Sequence, residues 1–324
     1  MRVQEVNKIS PFYKKLQDFV STHNLLFNSA SWLKNYSEKN IHQCVILNNN
    51  DDVIGCFNYY IFKKAMFKFL ITPPFSPDID LFYVNPAESV VGKNSFNKEL
   101  ITSLANYFEE LKIPYVNINL PAGIVDTQPF IWKEYISRSR YSYLINLSLT
   151  QETLWNNLSS EKRKSINKAM KDNIQVVQTK DMDIVYSLVL KSLERNEIAK
   201  NRNVIKNILF SFADSSNSFA FVAQKDGIAI GAAFCVISKK KAMYLFGGFD
   251  SENKHHGAGV SCMWQSILKA KELGLQFFDF EGSMNPDIER YFREFGGELI
   301  SYFSVQKIKP ALKAVLALKK HNPV

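Results

Sequence analysis

The chain has 324 residues, of which 46% are hydrophobic, and its 40 Lys and Arg residues outnumber 31 Asp and Glu residues, so the formal charge is +9. A chain of this length and composition is expected to form about two globular domains with hydrophobic cores. No run of about 18 apolar residues is present, which excludes a membrane-spanning helix. The positive charge suits an acidic partner such as a nucleotide phosphate, RNA or an anionic membrane surface, without distinguishing between them.

The amino-terminal segment and the cysteines both predict a cytoplasmic protein. The segment "MRVQEVNKISPFYKKL" has no apolar stretch of the kind found in secretory signals. The four cysteines lie far apart in apolar segments, with neither CxxC spacing nor a cluster with histidines: Cys44, Cys56, Cys235 and Cys262. We expect reduced, buried thiols and no metal site.

Two similar strand–turn–strand segments occur in the two halves of the chain. The segment "CVILNNNDDVIGCFNYYIF", from Cys44, resembles "FAFVAQKDGIAIGAAFCVIS", from Phe219. In each of them a polar turn separates two apolar runs, and a glycine (Gly55 or Gly231) stands early in the second run. This pattern predicts a β-hairpin in each half.

A helix followed by a strand comes after each hairpin, in the same order. The segment "EELKIPYVNINLP", from Glu109, resembles "AKELGLQFFDFEGS", from Ala270. Helical spacing of apolar residues precedes both segments, and an apolar-rich strand ends both. The two repeats together predict an α/β fold with mixed sheets, built from two tandem copies of one unit that pack together. We place the domains at residues 1–140 and 141–324, with a tail that packs back on the first domain.

The second copy opens with additional helices, predicted over residues 150–173 and 181–198. The first of them carries a run of basic residues: Lys162, Arg163, Lys164, Lys168 and Lys171. Such a run can bind an RNA backbone or an anionic substrate. A charge-rich helix face is more often simply solvated, and we favour that interpretation.

The turn before the long helix of the second copy has the composition of an anion-binding loop. In "DSENKHHGAGVSCMW", Gly257 and Gly259 stand just before an apolar helix, and Lys254 lies three residues ahead of Gly257. Helix N-termini bind phosphates through unpaired N–H groups and the positive dipole end. The matching turn of the first copy has only Gly92, so we assign a phosphate ligand to the second copy. An alternative is a loop whose glycines serve only to allow positive φ.

The spacing Lys254-x-x-Gly257-x-Gly259 resembles the Q/R-x-x-G-x-G/A loop of the GNAT N-acyltransferase superfamily, with Lys in place of Gln or Arg. In that family the loop cradles the pyrophosphate of coenzyme A. The resemblance therefore implies acetyl-CoA or another acyl-CoA as co-substrate, without a metal. It implies a binding loop with these members: Lys254, His256, Gly257, Ala258 and Gly259.

Three longer stretches resemble the Fem-type branch of the superfamily, in which two GNAT-like domains stand in tandem. "FNSASWLKNY", from Phe27, resembles the entry helix of the first domain, and the stretch from Tyr143 to Val176 resembles the opening of the second. "FDFEGSMNPDIERYFREFGGEL", from Phe278, resembles the closing strand and helix. The resemblance is closer to the acetyltransferase-like group than to the well-studied cell-wall enzymes.

The closing strand carries two carboxylates on a segment that otherwise looks buried. In this fold the strand lies beside the acyl-transfer cleft, and alternation along it predicts Asp279 and Glu281 on one face. Two adjacent carboxylates in a cleft can raise the pKa of one of them and supply a general base. Gly282 then turns the chain out of the sheet. The alternative is that both acids pair with Arg290, Arg293 or lysines and only stabilise the fold.

Three other features have both a functional and a structural interpretation. Tyr291 is a candidate acid for the leaving thiolate, although a tyrosine beside Phe292 and Phe295 is more often part of a core. His255 and His256 lie in the candidate loop and are more often solvated than catalytic. The segment "KPALKAVLALKK" predicts a short basic amphipathic helix, which either touches a membrane surface or, as we favour, docks on the protein itself.

The function predicted from the resemblance is direct transfer of an acyl group from acyl-CoA to an amine of a small molecule or peptide. The enzyme would therefore transfer groups other than aminoacyl groups, and no Cys or Ser stands out as a nucleophile. One alternative is an aminoacyl-tRNA-dependent peptidyltransferase that acts on a cell-wall precursor, with tRNA as the less favoured partner. Another is a non-catalytic binding protein on a transferase scaffold.

Overall fold

A computed structural model describes residues 1–195 and 201–318 of the chain. Up to residue 146 its elements are β1 (Arg2–Val6), α1 (Tyr13–Thr22), a 3₁₀ turn (Leu26–Asn28), α2 (Ala30–Leu33), β2 (Ile41–Leu47), β3 (Val53–Lys64), β4 (Phe67–Ile71), β5 (Phe82–Tyr83), α3 (Val90–Glu110), β6 (Tyr115–Asn119), α4 (Gln128–Ile131) and β7 (Ile136–Asn146).

The remaining elements are α5 (Gln151–Asn157), α6 (Ser160–Lys171), β8 (Gln175–Thr179), α7 (Met182–Arg195), α8 (Arg202–Asn207), a π-helical turn (Ile208–Phe212), β9 (Ser218–Lys225), β10 (Ile228–Ser238), β11 (Lys241–Phe249), α9 (Ala258–Glu272), β12 (Phe277–Asp279), α10 (Pro286–Arg293), β13 (Glu298–Ile308) and α11 (Pro310–Leu318). The ends of the helix predicted over 181–198 and of the basic tail lie outside the described residues.

The chain divides into two compact units, and each contains helices and a mixed sheet. One unit comprises residues 1–140 and the chain from residue 301, and the other comprises residues 141–300. The predicted α/β class is confirmed, whereas the assignment of a cofactor site to the second copy alone stays a prediction. Among the described residues, no helix is both long and apolar enough to cross a membrane.

The sheet of the first unit has the strand order β1-β2-β3-β4-β6-β13, with β5 on β3. Strands β4 and β6 run parallel, because α3 connects β5 to β6 across the sheet, and the other neighbours are antiparallel. Gly55 permits the approach of β5, since a Cβ atom there would lie 2.7 Å from the carbonyl oxygen of Phe82. Phe57, Tyr59 and Phe108 are buried in the core between this sheet and α3.

The sheet of the second unit has the order β7-β12-β11-β10-β9-β8, in which only β11 and β12 are parallel. The predicted hairpin β9–β10 turns through Asp226 and Gly227, both with positive φ (50° and 79°). This conformation matches the right-handed twist of the flanking strands. At Gly248 of β11 a Cβ atom would lie 2.3 Å from the backbone of Leu188, so helix α7 packs directly on that strand.

The predicted helix over residues 150–173 is wrong in one respect, because it is two helices. Leu158 is extended (ψ 143°), and Ser159 caps α6 by accepting a hydrogen bond from the N–H of Lys162 at 3.1 Å. Serine is a favoured N-cap residue, since its hydroxyl satisfies a donor that the helix leaves unpaired. Arg163 then donates to the carbonyl oxygens of Asn156 and Leu158 and joins the two helices at the break.

Candidate functional site

In the second unit the parallel strands β11 and β12 end at different points. Strand β12 pairs with β11 only from Lys241–Phe277 to Met243–Asp279. Beyond this point β11 continues along β10 as far as Phe249, whereas β12 ends at Asp279. Helix α9 starts at Ala258, shortly after the end of β11. Ligands of open α/β sheets commonly bind at the carboxyl ends of the strands, so this edge is the candidate site.

Gly257 is required by helix packing. It is the N-cap residue of α9, and a Cβ atom there would lie 2.3 Å from the carbonyl oxygen of Ser165 and 2.7 Å from the Cβ of Ala169, both on α6. Its N–H donates to Nδ1 of His255 at 3.1 Å, and Nε2 of His255 lies 3.0 Å from the carboxylate of Asp172. The N–H of Ala258 donates to the carbonyl oxygen of His255 at 3.1 Å, so two amides of the predicted loop are already bonded within the protein.

Gly259, the second residue of α9, lies in an open environment. A Cβ atom there would meet only one atom within 4 Å, the hydroxyl oxygen of Tyr291 at 3.9 Å. Gly259 is also partly exposed, so a ligand can approach the first turn of α9 from this side. Two residues that the sequence singled out for different reasons, Gly259 and Tyr291, thus lie next to each other.

The ring of Tyr291 has an apolar setting. Its centroid lies 5.4 Å from that of Phe295 and 5.8 Å from that of Phe292, both in edge-on contact. Burial raises the pKa of the Tyr291 hydroxyl well above its ordinary value, and the nearby Tyr244 and Cys262 raise it further. The phenol therefore keeps its proton at neutral pH and is a hydrogen-bond or proton donor.

Lys162 is a member of this site that the sequence reasoning missed. The predicted solvated face is wrong for Lys162, whose side chain is only 7% exposed. Its Nζ atom lies 3.8 Å from the ring centroid of Tyr291 and 3.3 Å from a carboxylate oxygen of Glu294. Burial lowers the pKa of Lys162, and the hydrogen bond that its ammonium group donates to Glu294 opposes this effect. Helical spacing was the available signal, because Lys162, Ile166 and Ala169 share one buried face.

Asp279 is buried and bonded on both oxygens. One oxygen accepts hydrogen bonds from the Ser142 hydroxyl at 2.6 Å and from the N–H of Glu281 at 3.0 Å, and the other lies 3.0 Å from Nζ of Lys241. These contacts link β12 to β7 and β11. The geometry agrees with the structural interpretation of Asp279, although its partner is Lys241 and not an arginine.

Glu281 does not continue the strand. Because β12 ends at Asp279, the expectation that both acids share one strand face is wrong. Glu281 has a left-handed backbone (φ 60°), as does Gly282 (φ 70°). A Cβ atom at Gly282 would lie 1.9 Å from the carbonyl oxygen of Tyr141, so glycine is needed to turn the chain there. A role for Glu281 as general base stays a prediction.

Basic side chains surround the start of α9. A cleft of about 320 Å³ is lined by Lys225, Asp226, Ile228, Ile230, Glu252, Asn253, Lys254 and His255. The hydrogen bond from His255 lowers the pKa of Asp172, and the charges of Lys168 and Lys225 lower it further. Lys254 and His256 are exposed. The cleft holds two lysines and two carboxylates, and its lysines can contact the phosphate groups of a ligand.

A family model for an acetyltransferase (GNAT) domain matches residues 160–293, which include α6, α9, β12 and α10. The chain carries a GNAT domain. The resemblance that the loop and the closing helix predicted is therefore confirmed. Comparison with curated protein sequences finds no match.

Solved structures with the same fold extend over both units of this chain. One is FemX (12% identity, TM-score 0.66, 99% of this chain and 100% of FemX covered). Another is the C-terminal domain of a putative lysylphosphatidylglycerol synthetase from Agrobacterium fabrum (11% identity, TM-score 0.56, 94% of this chain and 94% of that domain covered). A third is a tandem GNAT protein from the clavulanic acid biosynthesis pathway (10% identity, TM-score 0.54, 94% of this chain and 98% of that protein covered). At these identities the likeness concerns the fold, and it confirms the predicted architecture of two tandem GNAT-like domains.

Proposed function

We propose that the protein is an N-acyltransferase that transfers an acyl group from acyl-CoA directly to an amine of a small molecule or peptide. The observation that carries this proposal is the position of the Tyr291 hydroxyl, 3.9 Å from where a Cβ atom of Gly259 would lie, in the first turn of α9. This arrangement supports a donor whose phosphates contact the start of α9 and whose reactive group lies near the phenol. The four cysteines are buried and form no disulfide, which agrees with a cytoplasmic site of action.

The residues around the start of α9 fit phosphate groups. The first turn of a 15-residue helix has a positive dipole end, and the open side of Gly259 lets a phosphate group approach it. Lys254 and Lys225 add positive charge beside the cleft. Gly257 contributes indirectly, because its lack of a side chain lets α6 pack against the start of α9.

The acyl thioester supplies the electrophilic carbonyl carbon of this reaction. A neutral amine forms the C–N bond as the C–S bond breaks, and the amine loses a proton to a base, for which we propose Glu281. The Tyr291 hydroxyl donates a proton to the departing sulfur. Asp279 orients the backbone of Glu281 by accepting its N–H. The products are an amide and a thiol.

The basic surface favours one alternative donor, aminoacyl-tRNA. Lys168, Lys225 and Lys254 together offer several positive charges to a nucleic-acid backbone. Binding of tRNA through these side chains would weaken steeply with salt. The two donors are therefore separable by experiment.

The proposal is tested by calorimetric titration with acetyl-CoA, free CoA and an aminoacyl-tRNA, at two salt concentrations. The informative variant is Gly259→Glu, which puts a carboxylate where we expect the phosphates, and its control is Gln265→Glu on the same helix. We expect micromolar acetyl-CoA binding that Gly259→Glu abolishes and Gln265→Glu preserves. Failure of acetyl-CoA and CoA to bind the wild-type protein would overturn the proposal, and salt-dependent tRNA binding would then identify the alternative.

A further inference from the structure

The buried ammonium group of Lys162 is not explained by the pairing of charges alone. Its partner Glu294 also binds Arg290, whose Nε lies 3.1 Å from the second carboxylate oxygen. Glu294 would therefore remain paired without Lys162. Lys162 also contacts two aromatic faces: its Nζ lies 3.8 Å from the ring centroid of Tyr291 and 5.2 Å from that of Phe295.

We propose that Lys162 is a positioning residue for Tyr291: its ammonium group holds the ring beside the first turn of α9 and stabilises the phenolate that forms when Tyr291 donates its proton. This inference rests on the proposed function for its catalytic consequence. The contact itself is independent of any reaction. A cation over an aromatic face is strongest when the groups are removed from water; here the side chain of Lys162 is buried and Tyr291 is partly buried.

The charged and titratable groups around the pair make Lys162 important for this role. Tyr244 and Cys262 are buried neighbours of the Tyr291 hydroxyl that oppose its ionisation, and burial acts in the same direction. Around Lys162, Glu294 and Glu161 favour the charged ammonium, whereas Arg290 disfavours it. The positive charge at Lys162 thus counteracts an environment that would otherwise make Tyr291 a poor proton donor.

The proton balance of the reaction explains why a cation beside Tyr291 would help catalysis. As the C–S bond breaks, the sulfur takes the electron pair and receives the Tyr291 proton, which leaves a phenolate beside the Lys162 ammonium. The amine proton goes to Glu281. Exchange with water then returns a proton to Tyr291 and removes one from Glu281, so the enzyme is restored and the net reaction is thioester plus amine to amide plus thiol.

The coupling is tested without any substrate by replacing Tyr291 alone with a polyfluorinated tyrosine, whose phenol is more acidic. Its ionisation is followed by ¹⁹F NMR in the otherwise native protein and in Lys162→Met, Lys162→Arg and Lys164→Met backgrounds. We expect Lys162→Met to raise the midpoint by about one pH unit, which is a tenfold change in proton affinity. Lys162→Arg should keep most of the effect, and the exposed Lys164→Met should change nothing.

An unchanged midpoint in Lys162→Met would overturn the proposal. If the Met variant unfolds, Lys162→Gln and the Arg variant provide the same comparison of charge against no charge. Because this readout needs no acyl donor, it distinguishes failure of the Lys162 proposal from failure of the acyltransferase proposal.

The catalytic consequence is tested once transfer from acetyl-CoA to an amine is measured through thiol release. We expect Lys162→Met to lower kcat about tenfold with little change in KM for acetyl-CoA. In a Tyr291→Phe background the same substitution should have no further effect on kcat, because Lys162 acts through the phenol. Additive losses in the double variant would show that Lys162 does not act through Tyr291 and would overturn the proposal.

Discussion

The two glycines of the loop are expected to respond in opposite ways to replacement by alanine. In Gly257→Ala the new methyl group would lie 2.3 Å from the carbonyl oxygen of Ser165, so α6 and α9 must move apart. In Gly259→Ala it would meet only the Tyr291 hydroxyl at 3.9 Å, which is an ordinary contact. Gly259 has no positive φ, so alanine there is also free of backbone strain.

The size of each effect follows from the position. Overpacking costs about 1–3 kcal/mol, and alanine is worse than glycine at an N-cap by about 0.5–1 kcal/mol. Gly257→Ala should therefore lower the free energy of unfolding by roughly 2–4 kcal/mol. Alanine within a helix gains about 0.5–1 kcal/mol over glycine, so Gly259→Ala should be slightly stabilising. In a unit of this size these changes correspond to roughly 4–16 °C lower and 1–4 °C higher Tm.

The assay is urea unfolding followed by tryptophan fluorescence and near-ultraviolet circular dichroism. Trp155 and Trp264 are in edge-on contact at 5.5 Å in the second unit, so they report on the region that the substitutions perturb. The urea midpoint should be highest for Gly259→Ala, lower for the wild type and lowest for Gly257→Ala. Equal midpoints for the two variants would refute the conclusion that Gly257 serves helix packing and Gly259 serves access.

Three further predictions concern groups elsewhere in the second unit. Hydrogen bonds from the side chain of Lys191 and, to a smaller extent, from the N–H of Glu252 lower the pKa of Asp250 from 3.8 to about 2. The stability from this lowered pKa is present above about pH 4 and is lost as the pH falls to about 2. Asp250→Asn should therefore flatten the dependence of the free energy of unfolding on pH in this range. An unchanged slope would contradict this prediction. Asp279→Asn should lower stability by about 1–3 kcal/mol in urea unfolding, because a buried charged acceptor is lost; a neutral result would contradict the structural role. Gly282→Ala should cost at least about 2 kcal/mol by the same measurement, since both φ and the contact with Tyr141 require glycine, and a wild-type midpoint would show that the loop can move.

Local sequence signals predicted the elements that carry the site. The polar turn at Asp226 and Gly227 indicated a hairpin, and it forms one because both residues tolerate positive φ. Apolar spacing indicated helix α9, and its buried face follows that spacing. The paired glycines and the closing helix indicated a GNAT-type fold. These features depend on residues close together in the chain, so a single sequence is enough to reveal them.

Tertiary packing decided what the individual side chains do. Gly257 packs against α6, while its predicted contact with a ligand stays a prediction. Lys162 looked solvated and instead lies on the ring of Tyr291. Asp279 pairs with Lys241 on β11, although Arg290 is closer in sequence. Each of these contacts joins residues that are tens of positions apart, and periodicity within one segment carries no information about the partner across the interface. The sequence thus determined the elements and the family, and only the folded chain determined which polar groups are satisfied and which face the site.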